Sequence, residues 1–342
     1  IVSVEHGELA ARERLQVEAS FPPFPDLKSG SLPGRLMALR SRIPQLRPDL
    51  VLTYNWGAVE VVMARRLFGG PPIVHHEDGF GTEESVNLYR RRTFFRRHAL
   101  GAAHRIIVPS RILERIARET WRQSADRVTY IPNGVDVPAF AVKPRADAIP
   151  GLTLDDRLIV GTVAGLREEK NLTRMVRAFA TGARDLPARL VIVGAGPDRD
   201  AILAEARTQG IAERVHLPGF MSNPERYVGL FDVFALSSDT EQFPISLVEA
   251  MAAGLPAATP AVGDIKDIVA AENLPFVAPP HDEAALARAM RALLVDPDLR
   301  RAVGNANRTR VEREFALTTM IDRYRRIYDE ARERGVRQRA AV

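Results

Sequence analysis

The fold of this chain is decided by the stretch SSDTEQFPISLVEAMAAGLPAATPAVGDIKDI, which occupies residues 237–268. It follows an apolar strand at 233–236 and begins with a polar loop. Pro244 is expected to open a helix, because the N–H that proline lacks has no acceptor in a first turn. Gly254 is expected to end that helix in the left-handed conformation. The stretch therefore predicts a strand–loop–helix unit of a parallel α/β sheet.

Two glutamates of this unit are eight residues apart, Glu241 just before the helix and Glu249 about two turns along it. A helix N-terminus at the carboxyl end of a strand suits an anion, whereas carboxylates suit hydroxyl groups. A ligand that carries both phosphate and hydroxyls would be a nucleotide sugar. The same spacing also fits an ordinary βα unit with two surface glutamates, and the stretch alone does not choose between them.

The bulk properties are those of a globular protein without a membrane span. The 342 residues suggest two domains, with 46% hydrophobic and 27% charged residues. There is no cysteine, and the net charge of +5 is too diffuse to indicate nucleic acid. No run of about 18 apolar residues is present. We therefore expect a cytoplasmic protein, acting in the cytoplasm or at the inner face of the membrane.

Strands and helices alternate along both halves, which predicts two doubly wound parallel sheets. We expect an N-terminal Rossmann-like domain over 1–137, a linker over 138–152 and a second Rossmann-like domain over 153–316. A C-terminal helix over 317–342 is expected to return to the first domain. Because the chain starts at Ile1 within a strand-like segment, the first domain is expected to be incomplete at its N-terminus. Ligands of such sheets bind at their carboxyl edges, in a cleft between the domains.

Two loops of the second domain suit a diphosphate. Arg167 and Lys170 follow the strand 158–163, and their cations would neutralise a leaving diphosphate. Gly194 and Gly196 follow the next strand, where glycine lets backbone N–H groups approach phosphate. Each pattern has a plainer interpretation, a solvated helix start for the first and a tight βα turn for the second.

The first domain offers polar residues at the end of the strand 73–76, where His75 and His76 precede Glu77 and Asp78. Adjacent strand residues point to opposite faces, so at most one histidine faces the cleft. A metal site is not favoured, because no third ligand with suitable spacing is evident. We expect one of these residues to orient the transferred sugar or its acceptor, and the other histidine to be structural.

The segment YRRRTFFRRH at 89–98 interleaves aromatic residues with arginines on a helix expected over 87–101. It suits contact with anionic lipid or with a polyanionic acceptor. It equally suits a solvated helix face with Phe94 and Phe95 packed inward.

Together these residues resemble the GT-B glycosyltransferases, in particular family 4, the retaining and metal-independent group. The resemblance runs from about Asp49 to the end and is strongest over 158–270. The motifs that carry it are EQFP at 241–244, EAMAAGLP at 249–256, IPNGVD at 131–136, GAGP at 194–197 and LPG at 217–219.

The resemblance implies a retaining transferase that moves a sugar from a nucleotide-sugar donor to a glycan or lipid-linked acceptor in cell-envelope or exopolysaccharide synthesis. Glu241 would bind donor-sugar hydroxyls, Glu249 the ribose, and Lys170 with Arg167 the diphosphate. His76 and Asp78 would act at the reacting sugar, no metal or other cofactor being expected. The remaining donor contacts implied are Asn133, Gly194, Gly196, Leu217, Gly219, Phe243, Pro244 and Ile245.

Three departures from the family pattern are visible. Gly165 stands where the family often has arginine, so Arg167 is the expected substitute, and Asp78 precedes Gly79 where the family often has histidine. The glycine-rich loop that usually follows the first strand is missing. A GT-B-like binding or partner subunit without transferase activity is the alternative, against which the intact Glu241, Lys170 and Glu249 argue. A solute-binding protein is less suited, because it gives no reason for the paired glutamates.

Overall fold

The computed structural model describes residues 17–79 and 88–340 and divides the chain into two compact units. Unit 1 comprises residues 1–131 and 322–342, and unit 2 comprises residues 132–321. The residue at which the basic helix was expected to start, Asn87, lies outside the described residues. No helix in the described part of the chain combines the length and apolar character needed to cross a membrane.

Unit 1 is built on a four-stranded parallel sheet whose strands follow the order β1-β2-β3-β4. Strand β2 lies between β1 and β3 and is buried at all four of its residues, as the central strand of a covered sheet should be. The strands are β1 (Val51–Tyr54), β2 (Ile73–His76), β3 (Arg105–Val108) and β4 (Val128–Tyr130). The helices are α1 (Leu32–Leu46), α2 (Val59–Phe68), α3 (Arg90–Ala99) and α4 (Arg111–Arg115).

Unit 2 is built on a six-stranded parallel sheet in the order β10-β9-β8-β5-β6-β7. Its strands are β5 (Leu158–Val163), β6 (Ala188–Val193), β7 (Val215–Gly219), β8 (Val233–Ala235), β9 (Ala257–Pro260) and β10 (Val277–Ala278). Its helices are α5 (Val137–Phe140), α6 (Leu172–Gly182), α7 (Arg199–Thr208), α8 (Ile245–Ala252), α9 (Ile265–Ile268), α10 (Glu283–Val295) and α11 (Pro297–Glu314). A long helix, α12 (Leu317–Ala340), begins in unit 2 and belongs to unit 1 from Asp322 onward.

The order of strands in unit 2 reverses between β5 and β8. From β5 the chain proceeds outward to β6 and β7, then returns to the other side of β5 and proceeds outward through β8, β9 and β10. The loops that leave β5 and β8 therefore depart in opposite directions and open a crevice at their carboxyl ends. In doubly wound sheets this reversal point is where ligands bind.

Helix α8 lies within the stretch 237–268, between Glu241 and Gly254. Pro244 is its N-cap residue, in extended conformation, and Gly254 follows its end with φ of +79°. The buried face consists of Leu247, Val248, Ala250, Met251 and Ala252. Ile245 does not share that face, because its side chain at the helix start is 47% exposed.

The stretch 138–152, interpreted from its prolines and charges as a linker, lies within unit 2. Its apolar residues Phe140, Ile149 and Leu152 are buried in the core that also contains β8 and α8. These three side chains explain the difference, since burying them ties the stretch to the unit that follows it.

Candidate functional site

The reversal point of the unit 2 sheet brings a lysine and a glutamate together. Lys170 ends a short 3₁₀ turn after β5, and Glu241 lies in the loop after β8. The Nζ atom of Lys170 is 2.6 Å from Oε1 of Glu241, and Oγ of Ser238 donates to the same oxygen at 2.6 Å. The two side chains are 18% and 8% exposed. The contact is thus largely withdrawn from water.

Three further hydrogen bonds join the loops that carry this pair. Oγ of Ser237 donates to the carbonyl of Lys170 at 2.9 Å, and the amide of Asp239 donates to the carbonyl of Glu169 at 2.9 Å. The side-chain amide of Asn171 donates to Oδ2 of Asp239 at 3.0 Å. These bonds fix the distance between the two loops, so the Lys170–Glu241 contact is a property of the loop backbones as well.

Asp239 is the centre of a second charged cluster beside the pair. Arg174 lies 2.6 Å from Oδ1 of Asp239, and Nδ1 of His281 lies 3.0 Å from it. The ionised carboxylate can only accept, so the His281 nitrogen is the donor. Burial opposes ionisation of Asp239, but the hydrogen bonds from Asn171 and Arg174 outweigh it and lower its pKa. Sequence reasoning placed Asp239 in this loop but did not find its three partners.

The glycines of the 194–196 turn are required by neighbouring backbone. A Cβ on Gly194 would lie 1.8 Å from the carbonyl oxygen of Ala164, and a Cβ on Gly196 2.3 Å from that of Leu166. The amide of Leu166 donates to the carbonyl of Ala195 at 3.0 Å. The turn therefore supports the loop that leads to Arg167 and Lys170. Whether its amides also contact phosphate stays a prediction.

Arg167 lies at the entrance of this loop with its side chain 55% exposed. Its Nε atom pairs with Oε1 of Glu169 at 3.0 Å. The same Nε atom is 3.2 Å from the position that a Cβ on Gly165 would occupy. The side chain of Arg167 thus lies beside Gly165, and its role as a substitute for an arginine at position 165 stays a prediction.

The start of α8 is held next to Glu241 by a glycine. Gly263 has φ of +58°, and a Cβ there would lie 2.5 Å from the carbonyl oxygen of Glu241. The amide of Asp264 donates to the carbonyl of Gln242 at 3.2 Å. No side chain caps α8 at its N-cap residue, Pro244. The amide of Leu247 donates to the carbonyl of Pro244 at 3.1 Å, so the amides of Ile245 and Ser246 are the first-turn donors available to an anion.

Glu249 is half-buried on α8 and lacks a hydrogen-bonding or charged partner among the described residues. Burial, followed by the nearby charge of Glu225, raises its pKa to about 7. Burial and the charge of Glu249 likewise raise the pKa of Tyr227 to about 12. A carboxylate with these properties would gain from hydroxyl donors.

The other expected donor contacts lie in three places of unit 2. Phe243 is buried in the core beside Phe315, so only its backbone faces the loop. Gly219 has φ of +94°, its carbonyl accepts from the amide of Gly194 at 2.9 Å, and Leu217 precedes it on β7. Asn133 is half-buried where the chain enters unit 2.

In unit 1, both histidines of β2 are buried. His75 contacts Oγ1 of Thr53 at 2.9 Å and lies 3.5 Å from a carboxylate oxygen of Glu77. Nε of Arg96 is 3.3 Å from the same oxygen, and the Arg96 guanidinium lies over two indole rings, those of Trp56 and Trp121. This buried cluster has the character of a structural ion pair.

His76 is 1% exposed and its protonation is set by its neighbours. Nδ1 lies 3.1 Å from the carbonyl of Thr53 and must donate to it, so Nε2 accepts from the hydroxyl of Tyr328 at 2.9 Å. Tyr54 stacks on the ring at 4.3 Å. Burial lowers the pKa of His76 to about 4, which keeps it neutral.

Asp78 follows two residues later and is exposed. Its backbone amide donates to the side-chain oxygen of Asn55 at 2.8 Å. Desolvation and then the Glu77 carboxylate raise its pKa. A role for His76 or Asp78 in substrate contact remains a prediction, and of the two only Asp78 is accessible in unit 1.

Helix α3 separates its aromatic residues. Phe95 packs edge-on against Trp56 at 5.8 Å, whereas Phe94 is 66% exposed. Arg96 is buried, while Arg91 and Arg97 are exposed beside Phe94. The interpretation that both phenylalanines pack inward is thus wrong for Phe94. Among residues 17–79 and 88–340, no three histidine or acidic side chains are grouped to hold a metal ion.

Two sequence profiles match successive parts of the chain. That of the glycosyl transferases group 1 matches residues 146–310, and that of Glycosyltransferase Family 4 matches residues 1–138. Both halves of the chain thus match glycosyltransferase families. The profile boundary at 138–146 lies within the sequence that precedes β5.

Solved structures show that the chain has the GT-B fold. Sucrose-phosphate synthase from Thermosynechococcus elongatus superposes with a TM-score of 0.73 at 25% identity, covering 87% of this chain and 77% of that one. Anabaena HepE in complex with UDP superposes with a TM-score of 0.73 at 19% identity, covering 86% and 82%.

Curated relatives match the chain at similar levels of identity. D-inositol 3-phosphate glycosyltransferase of Thermobispora bispora is 25% identical, covering 91% of this chain and 79% of the relative. N-acetyl-alpha-D-glucosaminyl L-malate synthase of Bacillus anthracis is 28% identical over 52% of this chain, which is 46% of the relative. The chain thus spans about half of that relative's length.

Proposed function

We propose that the protein is a retaining, metal-independent glycosyltransferase that moves a sugar from a nucleotide-sugar donor to a glycan or lipid-linked acceptor. The observation that carries the proposal is the 2.6 Å contact between Lys170 and Glu241 at the reversal point of the unit 2 sheet. A ligand that carries both phosphate and hydroxyl groups would use a cation and a carboxylate side by side.

In the resting protein Lys170 and Glu241 neutralise each other. A donor diphosphate would attract the ammonium of Lys170, together with Arg167 and the first-turn amides of α8. The carboxylate released from Lys170 could then accept from hydroxyls of the donor sugar, while Ser238 keeps its orientation. Lys170 would then stabilise the negative charge that develops on the leaving diphosphate, while Glu241 holds the sugar beside it.

Glu249 supplies the second half of the donor site. It lies on α8, just over one turn from the start of the helix at Ile245, and its carboxylate has no partner among the described residues. Ribose hydroxyls would provide the hydrogen bonds that its burial withholds, and this would favour its ionised form. Binding of UDP by the structural relative HepE and the sugar-transfer names of the curated relatives support a nucleotide-sugar donor for this chain. Envelope or exopolysaccharide glycans are the acceptors we favour, in the cytoplasm.

Mass spectrometry of reaction products tests the proposal. Wild-type protein is incubated with a panel of nucleotide sugars and acceptor extracts, beside Glu241→Gln, which preserves shape but removes the charge. We expect a product heavier by one sugar residue with one donor, and a loss of at least 100-fold with Glu241→Gln. Full activity in Glu241→Gln would contradict the assigned site, and nucleotide binding without transfer by any donor would favour the partner-subunit alternative.

We further propose that α3 contacts an anionic membrane surface that carries the acceptor. The helix RRRTFFRRHA contains no acidic residue and exposes Phe94 between arginines. Apolar insertion and charge attraction act together at such a surface. Co-sedimentation with phosphatidylglycerol vesicles should fall several-fold for Phe94→Ser, whereas Phe220→Ser, which removes an equally exposed phenylalanine of unit 2, should leave it unchanged. Equal sedimentation of all three proteins would contradict the contact.

A further inference from the structure

Unit 1 contains a polar cavity of about 280 Å³ at the amino-terminal edge of its sheet. Pro72, which precedes β2, and Arg105, which opens β3, lie on its wall, and Arg127 before β4 completes that edge. In a parallel sheet this edge is opposite the one where β2 ends at His76. The cavity is therefore separate from Asp78, and all of its lining residues belong to unit 1.

The cavity gathers more positive than negative charge. Four arginines line it, against the single carboxylate of Asp126: Arg65, Arg105, Arg127 and Arg334. The only other acid paired with these arginines in the described part of the chain is Glu330, which lies 3.8 Å from Arg105 and is 59% exposed. Four cations thus face two carboxylates, and one of the two reaches into solvent.

Two of the arginines are held in place by backbone. Nε of Arg65 donates to the carbonyl of Pro71 at 2.7 Å. Nη1 of Arg127 donates to the carbonyls of Gly101 and Ala103. These anchors cannot neutralise charge, because a carbonyl is a dipole only. They fix the guanidinium groups at the cavity in advance of any ligand, which reduces the entropy cost of binding.

His104 adds an unsatisfied group. Both of its ring nitrogens are shielded from solvent and lack a hydrogen-bond partner among the described residues. Burial, Arg105 and Arg334 lower its pKa, and burial, Arg334 and Arg127 lower that of Arg65. Mutual repulsion of this kind is the cost of collecting cations without their counter-ion.

We propose that this cavity binds a tetrahedral oxyanion of the phosphate class, as the phosphate group of a small metabolite. Arg334 is the residue best placed to close on it, because it extends from α12 and no described side chain pairs with it. Since α12 begins in unit 2, an anion held by Arg334 would connect occupancy of this cavity with the helix that both units share. This inference is independent of the proposed transfer reaction.

Titration with inorganic phosphate, followed by thermal unfolding at constant ionic strength set with chloride, tests the site. The proteins are wild type, Arg334→Gln, Lys170→Ala and Arg337→Gln. Arg337 lies on the same helix but outside the cavity, paired with Glu333. We expect phosphate to raise the Tm of wild type, Arg337→Gln and Lys170→Ala alike. Arg334→Gln should bind about tenfold more weakly, as expected for loss of one charged hydrogen bond.

Three results would overturn the proposal. One is a Tm of wild type that phosphate does not raise beyond chloride. Another is a phosphate response lost in Lys170→Ala but intact in Arg334→Gln, which would place the anion in unit 2. The third is binding to vesicles of phosphatidic acid without any response to free phosphate or glycerol 3-phosphate, which would assign the cations to a lipid surface instead.

Discussion

At the scale of single residues, Glu249 shows the opposition between stability and ligand binding. Its pKa of about 7 in the folded protein exceeds the ordinary 4.5 of a glutamate. Below about pH 4.5 it is protonated in both folded and unfolded protein, and folding carries no penalty. As the pH rises from 4.5 to 7, Glu249 ionises more readily in the unfolded chain than in the folded protein, and the free energy of unfolding decreases.

Glu249→Gln should therefore raise the Tm of the free protein more at pH 8 than at pH 5. Nucleotide affinity should fall in the variant, and in wild type it should weaken below pH 7. Thermal unfolding at both pH values measures the first effect, with the exposed Glu272→Gln as a control. A Tm gain that is equal at both pH values would show that burial does not disfavour the ionised form of Glu249.

The contribution of the Lys170–Glu241 contact to the stability of the free protein can be measured by a double-mutant cycle. Removing either partner leaves a mostly buried charge unpaired, so Lys170→Met and Glu241→Gln should each destabilise the protein. The double variant should recover part of that loss, with a coupling energy of about 0.5–3 kcal/mol. Urea unfolding of the four proteins provides the cycle. Additive effects would mean that the contact contributes nothing to the free protein.

At the scale of elements, the loops after β5 and β8 were harder to predict than the strands and helices they connect. The strands predicted at 73–76 and 158–163 coincide with β2 and β5. Sequence patterns could not reveal the bonds of Asp239 to Asn171, Arg174 and His281, since these partners lie 42 to 68 residues from it along the chain. The glycines at 194 and 196 were interpreted as a site where backbone amides approach phosphate. The close approach of the 164–166 backbone already requires glycine at both positions.

Gly263→Ala tests whether the α9 loop positions Glu241. A Cβ at Gly263 meets the carbonyl of Glu241, whereas Gly210, at φ of +68°, has open space around it. Both alanines bear the left-handed strain of about 1–2 kcal/mol. Only Gly263→Ala should also lower kcat, by about tenfold or more. Equal kcat for both variants, measured at matched temperature below their Tm, would refute the positioning role.

At the scale of the whole molecule, alternating strands and helices together with the paired glutamates predicted two doubly wound units, and the solved relatives confirm the GT-B fold. The division at Ile131 was less accessible from sequence, because prolines and charges at 138–152 conceal three buried apolar side chains. The identities of the donor base, the donor sugar and the acceptor could not be predicted from the sequence, because backbone and loop shape select them.

Calorimetric titration of nucleoside diphosphates is the most direct test of the central claim, that unit 2 binds a nucleotide-sugar donor between Lys170 and Glu249. UDP, GDP and ADP are titrated into the wild-type chain and into Lys170→Ala and Glu249→Ala. We predict that one of the three nucleotides binds the wild-type chain with a Kd in the micromolar range, and that each variant weakens this binding at least tenfold. Binding of none of the three, or unchanged affinity in both variants, would contradict the account.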